Sequence, residues 1–294
     1  MKLSMELGGL LTAGYDEKTA ISMVKEAGFD CYDHTLCRID PWMGEDYRER
    51  ALEIRRFAEE LGIPCNQAHA PFYDPVKFPQ EFGFTDAMEE SDPKYARLIR
   101  SIEVASILGA KNIVVHAVMF DRPEGVDFHE YNRRFYRSLV PYCEKFGICV
   151  SVENLFERRD GVVYPVLADP QELQDLVRSI DSPWINICVD VGHAGITGLH
   201  CPQEFLRAMD GSLLKALHVH DNDCDRDWHL FPYSGRFKWD EIAKALAEIG
   251  YTGDFTYETL GQLLSLDKKM YPAGMKYLEQ IGRLLIEKIE EYRK

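Results

Sequence analysis

The chain has 294 residues, enough for a large core, and a globular composition of 46% hydrophobic and 28% charged side chains. Its 49 acidic against 34 basic side chains leave a net charge of −15. That balance argues against nucleic acid as a partner, because a sequence-independent phosphate contact needs a basic face. No stretch approaches the roughly 20 apolar residues of a membrane helix, and the opening "MKLSMELGGLLTAG" lacks a secretory pattern, so a cytoplasmic protein with no membrane partner is expected.

In chain order, the first strand is expected at Leu3–Leu7, an alternating segment interrupted by Glu6. Strands follow at Cys31–His34 and Cys65–Ala70, with the helical "YRERALEIRRFAEELG" between them. The irregular segment from Pro71 to Pro93 is expected to be a long loop, of a length often used for binding. Further strands are expected at Ile113–Val118, Cys149–Leu155, Ile185–Val191, Ala216–His220 and Phe255–Thr259. Between the fourth and fifth, "RRFYR" at 133–137 sits inside a helical pattern and reads as a solvated face. Before the last lies the helical "WDEIAKALAEIG", and after it a segment with Met275, Leu278, Ile281, Leu285 and Ile289 on one face. Gly109, Gly147 and Gly250 follow helical runs where left-handed caps belong.

Eight strand–helix units in this length fit a closed barrel better than an open sheet. The expectation is therefore α/β: a single (β/α)8 TIM barrel domain of parallel strands over residues 1–294. No G-x-G-x-x-G follows the first strand, so no nucleotide cofactor is expected. The eight cysteines contain no Cys-x-x-Cys pair and read as reduced structural thiols.

In such a barrel the active site lies at the C-terminal strand ends. Those ends carry His69, His116, Glu153, Asp190 with His193, the run His218, His220, Asp221 and Asp223, and finally Glu258. The following loop adds Arg226, Asp227 and His229. Taken singly, each has an ordinary reading: a hydrogen-bonded strand-end histidine, a helix cap at Asp190, an arginine partner for either glutamate. Taken together, several carboxylates aimed into one mouth are costly to bury without a cation. Oxygen and imidazole donors from separate strands suit a divalent metal such as Mn²⁺, Co²⁺, Mg²⁺ or Zn²⁺.

This order of motifs resembles the xylose isomerase-like barrel superfamily, which includes sugar-phosphate isomerases and epimerases, ketose 3-epimerases and endonuclease IV. The ketose 3-epimerase pattern implies one metal on Glu153, Asp190, His220 and Glu258, with Glu153 and Glu258 as catalytic acid/base groups. The "DVGH" stretch then implies His193 as a substrate contact, and "HVHDNDCDR" implies Arg226 as another. His69 and His116 join them as substrate-binding candidates. His218 and His220 share strand parity, so His220 is taken from the match and from its place nearer the mouth. One departure is clear: the second glutamate usual six residues after the first is here Arg159, with Glu157 two residues earlier. Arg158 and Arg159 could instead meet a phosphate or carboxylate. The endonuclease IV pattern adds His69, His116, His193, Asp227 and His229 as ligands of further ions.

The resemblance implies a metal-dependent isomerase or epimerase in carbohydrate metabolism, acting on a sugar, sugar phosphate or inosose through an enediolate. The alternatives are a trinuclear zinc phosphodiesterase of endonuclease IV type and a catalytically silent sugar-binding protein. Phe72, Phe120, Trp228 and Phe231 are candidates either to stack on a sugar or to seal the barrel. Homo-oligomerisation is an expectation from the resemblance alone.

Overall fold

A computed structural model of the chain describes residues 1–37, 39–71, 88, 90–118, 125 and 127–294, and only the backbone of Arg159. Most of the loop expected from Pro71 to Pro93, with Phe72, lies outside the described residues, as do Phe120 and the side chain of Arg159.

The first five strands are β1 (Leu3–Glu6), β2 (Cys31–Thr35), β3 (Cys65–His69), β4 (Asn112–Val115) and β5 (Cys149–Glu153). A hairpin of β6 (Leu155–Arg159) and β7 (Val162–Val166) follows, then β8 (Ile185–Asp190), β9 (Leu214–His218) and β10 (Phe255–Tyr257). Leaving out the hairpin, eight strands form one sheet in the order β10-β1-β2-β3-β4-β5-β8-β9, every pair parallel. A parallel bridge between Val219 and Tyr257 closes the two ends, with Val219 N donating to Thr256 O at 2.9 Å and Glu258 N to Val219 O at 3.1 Å. The expected TIM barrel is the fold found.

Helices alternate with the strands because the connections carry one-sided apolar patterns, several of them opened by a side-chain cap. Asp16, Asp92, Asp127 and Asp169 each accept a backbone N–H at a helix start. Gly109 (φ 99°) and Gly147 (φ 68°) end the helices Pro93–Leu108 and Phe128–Phe146 in the left-handed conformation expected of them. All five apolar residues expected on one face of the last helix, Tyr271–Tyr292, are buried. That helix lies close on the first strand, and a Cβ added at Gly282 would come within 2.5 Å of Leu3 Cδ1. No described helix is long and apolar enough to cross a membrane. All eight cysteines are free.

Strand periodicity positions the site. Val114, Cys188 and Ala216 form a small buried apolar cluster of their own inside the barrel. Two residues further along the same strand faces stand His116, Asp190 and His218. The register pairs Glu153 with Cys188 and Asp190 with His218, so these side chains rise from the apolar floor toward one mouth.

The hairpin is the one strand pair absent from the expected elements. Its turn is Asp160–Gly161, both with positive φ (49° and 81°), the Asp-Gly signal of a tight hairpin.

Asp221, expected at the mouth, is instead a structural anchor. Its buried carboxylate accepts from Trp239 Nε1 (2.8 Å), Asn222 N (2.9 Å), Gly235 N (3.1 Å) and Phe237 N (3.2 Å). The tight approach of Gly235, where a Cβ would lie 2.3 Å from Asp221 Oδ1, is part of the same knot. Asp223 is half-buried and folds its own loop, accepting from Asp225 N, Arg226 N and Trp228 Nε1. Removing Asp221 would strand several buried donors at about 1–3 kcal/mol each, so Asp221→Ala should lose about 3–5 kcal/mol in denaturant unfolding. Asp223→Ala should lose about 1 kcal/mol or less.

A candidate metal centre at the barrel mouth

Glu153 ends β5 and is the centre of the cluster. Its Oε1 lies 2.7 Å from His218 Nδ1, and its Oε2 lies 2.8 Å from His116 Nε2 and 3.8 Å from His69 Nε2. His69 and His116 approach each other at 3.2 Å, and His69 stacks on His218 with ring centroids 5.4 Å apart. Glu258, just past β10, comes within 3.3 Å of the same His218 Nδ1.

Asp190 does two jobs at once. As the cap of the short helix Val191–Ile196, its Oδ1 accepts from His193 N at 2.6 Å, while Oδ2 lies 3.0 Å from His220 Nε2. Asn154, which the sequence reading passed over, clamps the ends of β5 and β8. Its side chain accepts from Asp190 N at 2.8 Å and donates to Asp190 O at 2.9 Å, and its own carbonyl faces His193 Nδ1 at 3.0 Å. Asp227 sits 2.9 Å from His229 Nε2, 3.5 Å from His193 Nε2 and 3.9 Å from His220 Nε2. His229 in turn stacks on His220 at 4.1 Å.

Two four-residue groupings of donor atoms follow. Glu153, Asp190, His218 and Glu258 each offer an atom within 4.8 Å of the others, and so do His193, His220, Asp227 and His229. A third set, His69, His116 and Glu153, shares the central glutamate. The expected set of Glu153, Asp190, His220 and Glu258 shares three members with the first group, and His220 keeps its own contact with that group through Asp190 Oδ2 at 3.0 Å. The strand ends at His218, whose ring reaches both glutamates, while His220 lies two residues beyond, between Asp190 at 3.0 Å and Asp227 at 3.9 Å. The donor set of either group, carboxylate oxygen with imidazole nitrogen on converging strands, fits a divalent ion.

Arg226 is not brought to this cluster. Its guanidinium lies over Trp228 at 5.4 Å and 3.7 Å from Asp225, with 65% of the side chain exposed. Arg158 is tied to the backbone carbonyl of Asp225, so it braces the hairpin against the loop rather than facing the mouth. Phe156 of that hairpin packs edge-on against His193 at 5.3 Å. Phe231 is buried and Trp228 is largely exposed.

The first two strands also contribute, unnoticed in the sequence. Glu6 and Asp33 are buried on paired positions of β1 and β2. Asp33 accepts from Gln67 Nε2 at 2.8 Å and lies 3.7 Å from His218 Nε2. Glu6 carries the parity of a mouth residue, a signal hidden because it was weighed only as a break in an apolar segment.

Crowded charge sets the protonation pattern. Burial pushes Glu153 up, but His218, His116 and His69 override it and hold the carboxyl well below its usual range. Burial likewise opposes Asp227, which His229 and His193 hold far down. The imidazoles answer in kind: against burial, Asp190 and Asp227 raise His193, and Asp227 chiefly raises His229 to about 10. His218 is also raised, by Cys188, Glu258 and Glu153. Glu6 goes the other way, pushed up to about 7 by burial, Glu258 and Asp33.

A model of the xylose isomerase-like TIM barrel family matches residues 21–281. The chain belongs to that family. An uncharacterized protein of Methanocaldococcus jannaschii is 32% identical over 302 residues, covering 98% of this chain and 95% of that protein. The D-psicose 3-epimerase of Ruminiclostridium cellulolyticum is 31% identical over 124 residues, 42% of this chain and 38% of the enzyme. Among solved structures, the IOLI protein with a binding zinc atom superposes with a TM-score of 0.73 at 14% identity, covering 99% of both chains. In this xylose isomerase-like barrel, then, fold and family agree.

Gly192 tests how tightly the mouth is built. A Cβ there would lie 1.9 Å from His220 Cε1. Gly192→Ala should cost about 1–3 kcal/mol of stability by overpacking. The cost should largely vanish when His220→Ala is made alongside, a coupling read by a double-mutant cycle of unfolding free energies.

Proposed function

We propose that the protein is a divalent-metal-dependent isomerase or epimerase of sugars or closely related polyols, moving a proton beside a carbonyl. The observation that carries this reading is the convergence of Glu153, Asp190, His218 and Glu258 at the barrel mouth, their donor atoms within 4.8 Å of one another. The relatives named as sugar epimerases support the same class of substrate. Glu153, Asp190, His218 and Glu258 would hold the ion, which when bound supplies Lewis-acid polarisation of a carbonyl and its neighbouring hydroxyl.

The chain's own groups do the rest. Proton abstraction next to a carbonyl needs a positioned base, and Glu153 and Glu258 meet at one imidazole edge, 2.7 Å and 3.3 Å from His218 Nδ1. In an epimerisation one carboxylate removes the proton and the other returns it to the opposite face; in an isomerisation a single base carries it between neighbouring carbons. In this reading His193, His69 and His116 hold substrate oxygens and disperse enediolate charge. Glu153→Gln should lower turnover by at least about 10²-fold while far-UV circular dichroism stays native. Near-normal turnover would remove Glu153 from the mechanism.

Protons and an ion compete for these imidazoles. Because His193 and His229 are raised by neighbouring carboxylates, and His218 by Cys188 with Glu258 and Glu153, an ion reaching either donor group must displace protons that persist at neutral pH. Ion affinity should therefore rise with pH and fall on acidification. Calorimetric titration with Zn²⁺ should give an apparent enthalpy that varies with the buffer's own ionisation enthalpy; a buffer-independent enthalpy would contradict the assignment.

The two further donor groups, His193–His220–Asp227–His229 and His69–His116–Glu153, favour a second reading as a multi-zinc phosphodiesterase. Cleavage of abasic-site DNA that is lost in both His69→Ala and His229→Ala would establish it.

A further inference from the structure

Beside the cluster lies a cavity of about 180 Å³ between the short helix after β1 (Gly8–Thr12) and the end of β2. Its walls include Leu11, Tyr15, Glu17, His34, Thr35 and Trp42, with Gly8 and Cys37 on the side toward the mouth. The connection to the site is direct: Cys37 Sγ is 3.7 Å from His69 Nδ1, and Gly8 leaves room for the Glu6 carboxyl, which a Cβ would meet at 1.8 Å.

His34 borders this cavity fully buried, with neither ring nitrogen partnered. A buried imidazole in that condition calls for a partner that both gives and takes a hydrogen bond. Burial pushes His34 down to about 4, so the ring is neutral and offers one donor and one acceptor. Its wall is stiff, since His34 packs edge-on against Trp42 at 5.6 Å and Arg50 covers the other ring at 4.5 Å. The cations flanking the cavity are already committed. Arg50 is bonded to Glu17 at 2.5 Å and to Pro41 O at 3.0 Å, and Lys268 is tied to Ala13 O above the Tyr15 ring. Among the described lining residues the one charged group is the Glu17 carboxylate.

We propose that this cavity is the subsite for the non-reacting end of the substrate, that His34 is its hydroxyl-recognising contact, and that it selects an uncharged polyol end over a phosphorylated one. The inference rests on the sugar isomerase reading and deepens it. A neutral imidazole beside a carboxylate suits hydroxyls, whereas a phosphate would face Glu17 with no free cation among the described walls. The aromatic and aliphatic walls suit the C–H faces of the same ligand.

The test uses three ketoses that share a reacting end: D-fructose, D-fructose 6-phosphate and the four-carbon L-erythrulose. Binding is followed by saturation-transfer NMR on the Zn²⁺-loaded protein, and turnover is followed separately by product analysis. D-fructose should bind at least about tenfold more tightly than its 6-phosphate. His34→Phe should weaken D-fructose about tenfold, the order of one lost hydrogen bond, and leave L-erythrulose unchanged. Leu11→Trp, which fills the cavity from a half-buried position, should do the same if His34→Phe does not fold. Preference for the 6-phosphate, or equal losses for the long and short ketoses, would overturn the subsite. Binding of neither hexose form would overturn it as well. Binding that depends on His34 but yields no product under any divalent ion would leave the subsite standing and sink the isomerase reading instead.

Discussion

Glu153 is the constraint on which the site depends. One buried carboxylate is shared among three imidazoles, from His69, His116 and His218, and no position on the surface could organise them so tightly. The arrangement costs desolvation that only compensating charge repays, and the surrounding acids keep that compensation in place by holding protons on His193, His218 and His229. The barrel supplies what the chemistry needs: parallel strands set side chains of one parity in a ring, and a small apolar floor of Val114, Cys188 and Ala216 lies beneath them. The mouth is thus polar because of where the strands end, above a floor that is apolar.

Much of this was legible in the sequence because strand parity and strand ends are local properties. The eight barrel strands, the caps at Gly109 and Gly147 and the apolar face of the last helix all followed from short-range patterns. What escaped depended on geometry between strands. His218 and His220 share a face, and only the folded barrel shows that His218 lies against Glu153 and Glu258 while His220 lies against Asp190. Asp221 looked like a mouth residue and is a knot that fastens Gly235, Phe237 and Trp239. Arg226 matched a motif by spacing, yet its loop carries it out over Trp228. Glu6 and Asp33 were missed for the opposite reason, since nothing within their own short strands announces a partner across the barrel.

The hairpin β6–β7 shows how a local signal can be outvoted. Asp160–Gly161 is a strong turn dipeptide, but a chain that otherwise alternates strand and helix draws attention away from it. Its consequence is functional as well as architectural. Phe156 walls His193 from one side, and Arg158 fastens the hairpin to the Asp225 backbone, so the mouth is framed on the β5 side by a braced element.

If the carboxylates and imidazoles at the mouth are assembled to hold a cation, that cation should be found. The most direct measurement is the content of divalent metal per chain, by elemental analysis of protein purified without chelators, beside a Glu153→Ala variant prepared identically. The account predicts at least one ion per chain in the native protein and its loss in the variant. A native protein that takes up no divalent ion stoichiometrically, even when Mn²⁺, Co²⁺, Mg²⁺ or Zn²⁺ is supplied, would contradict it.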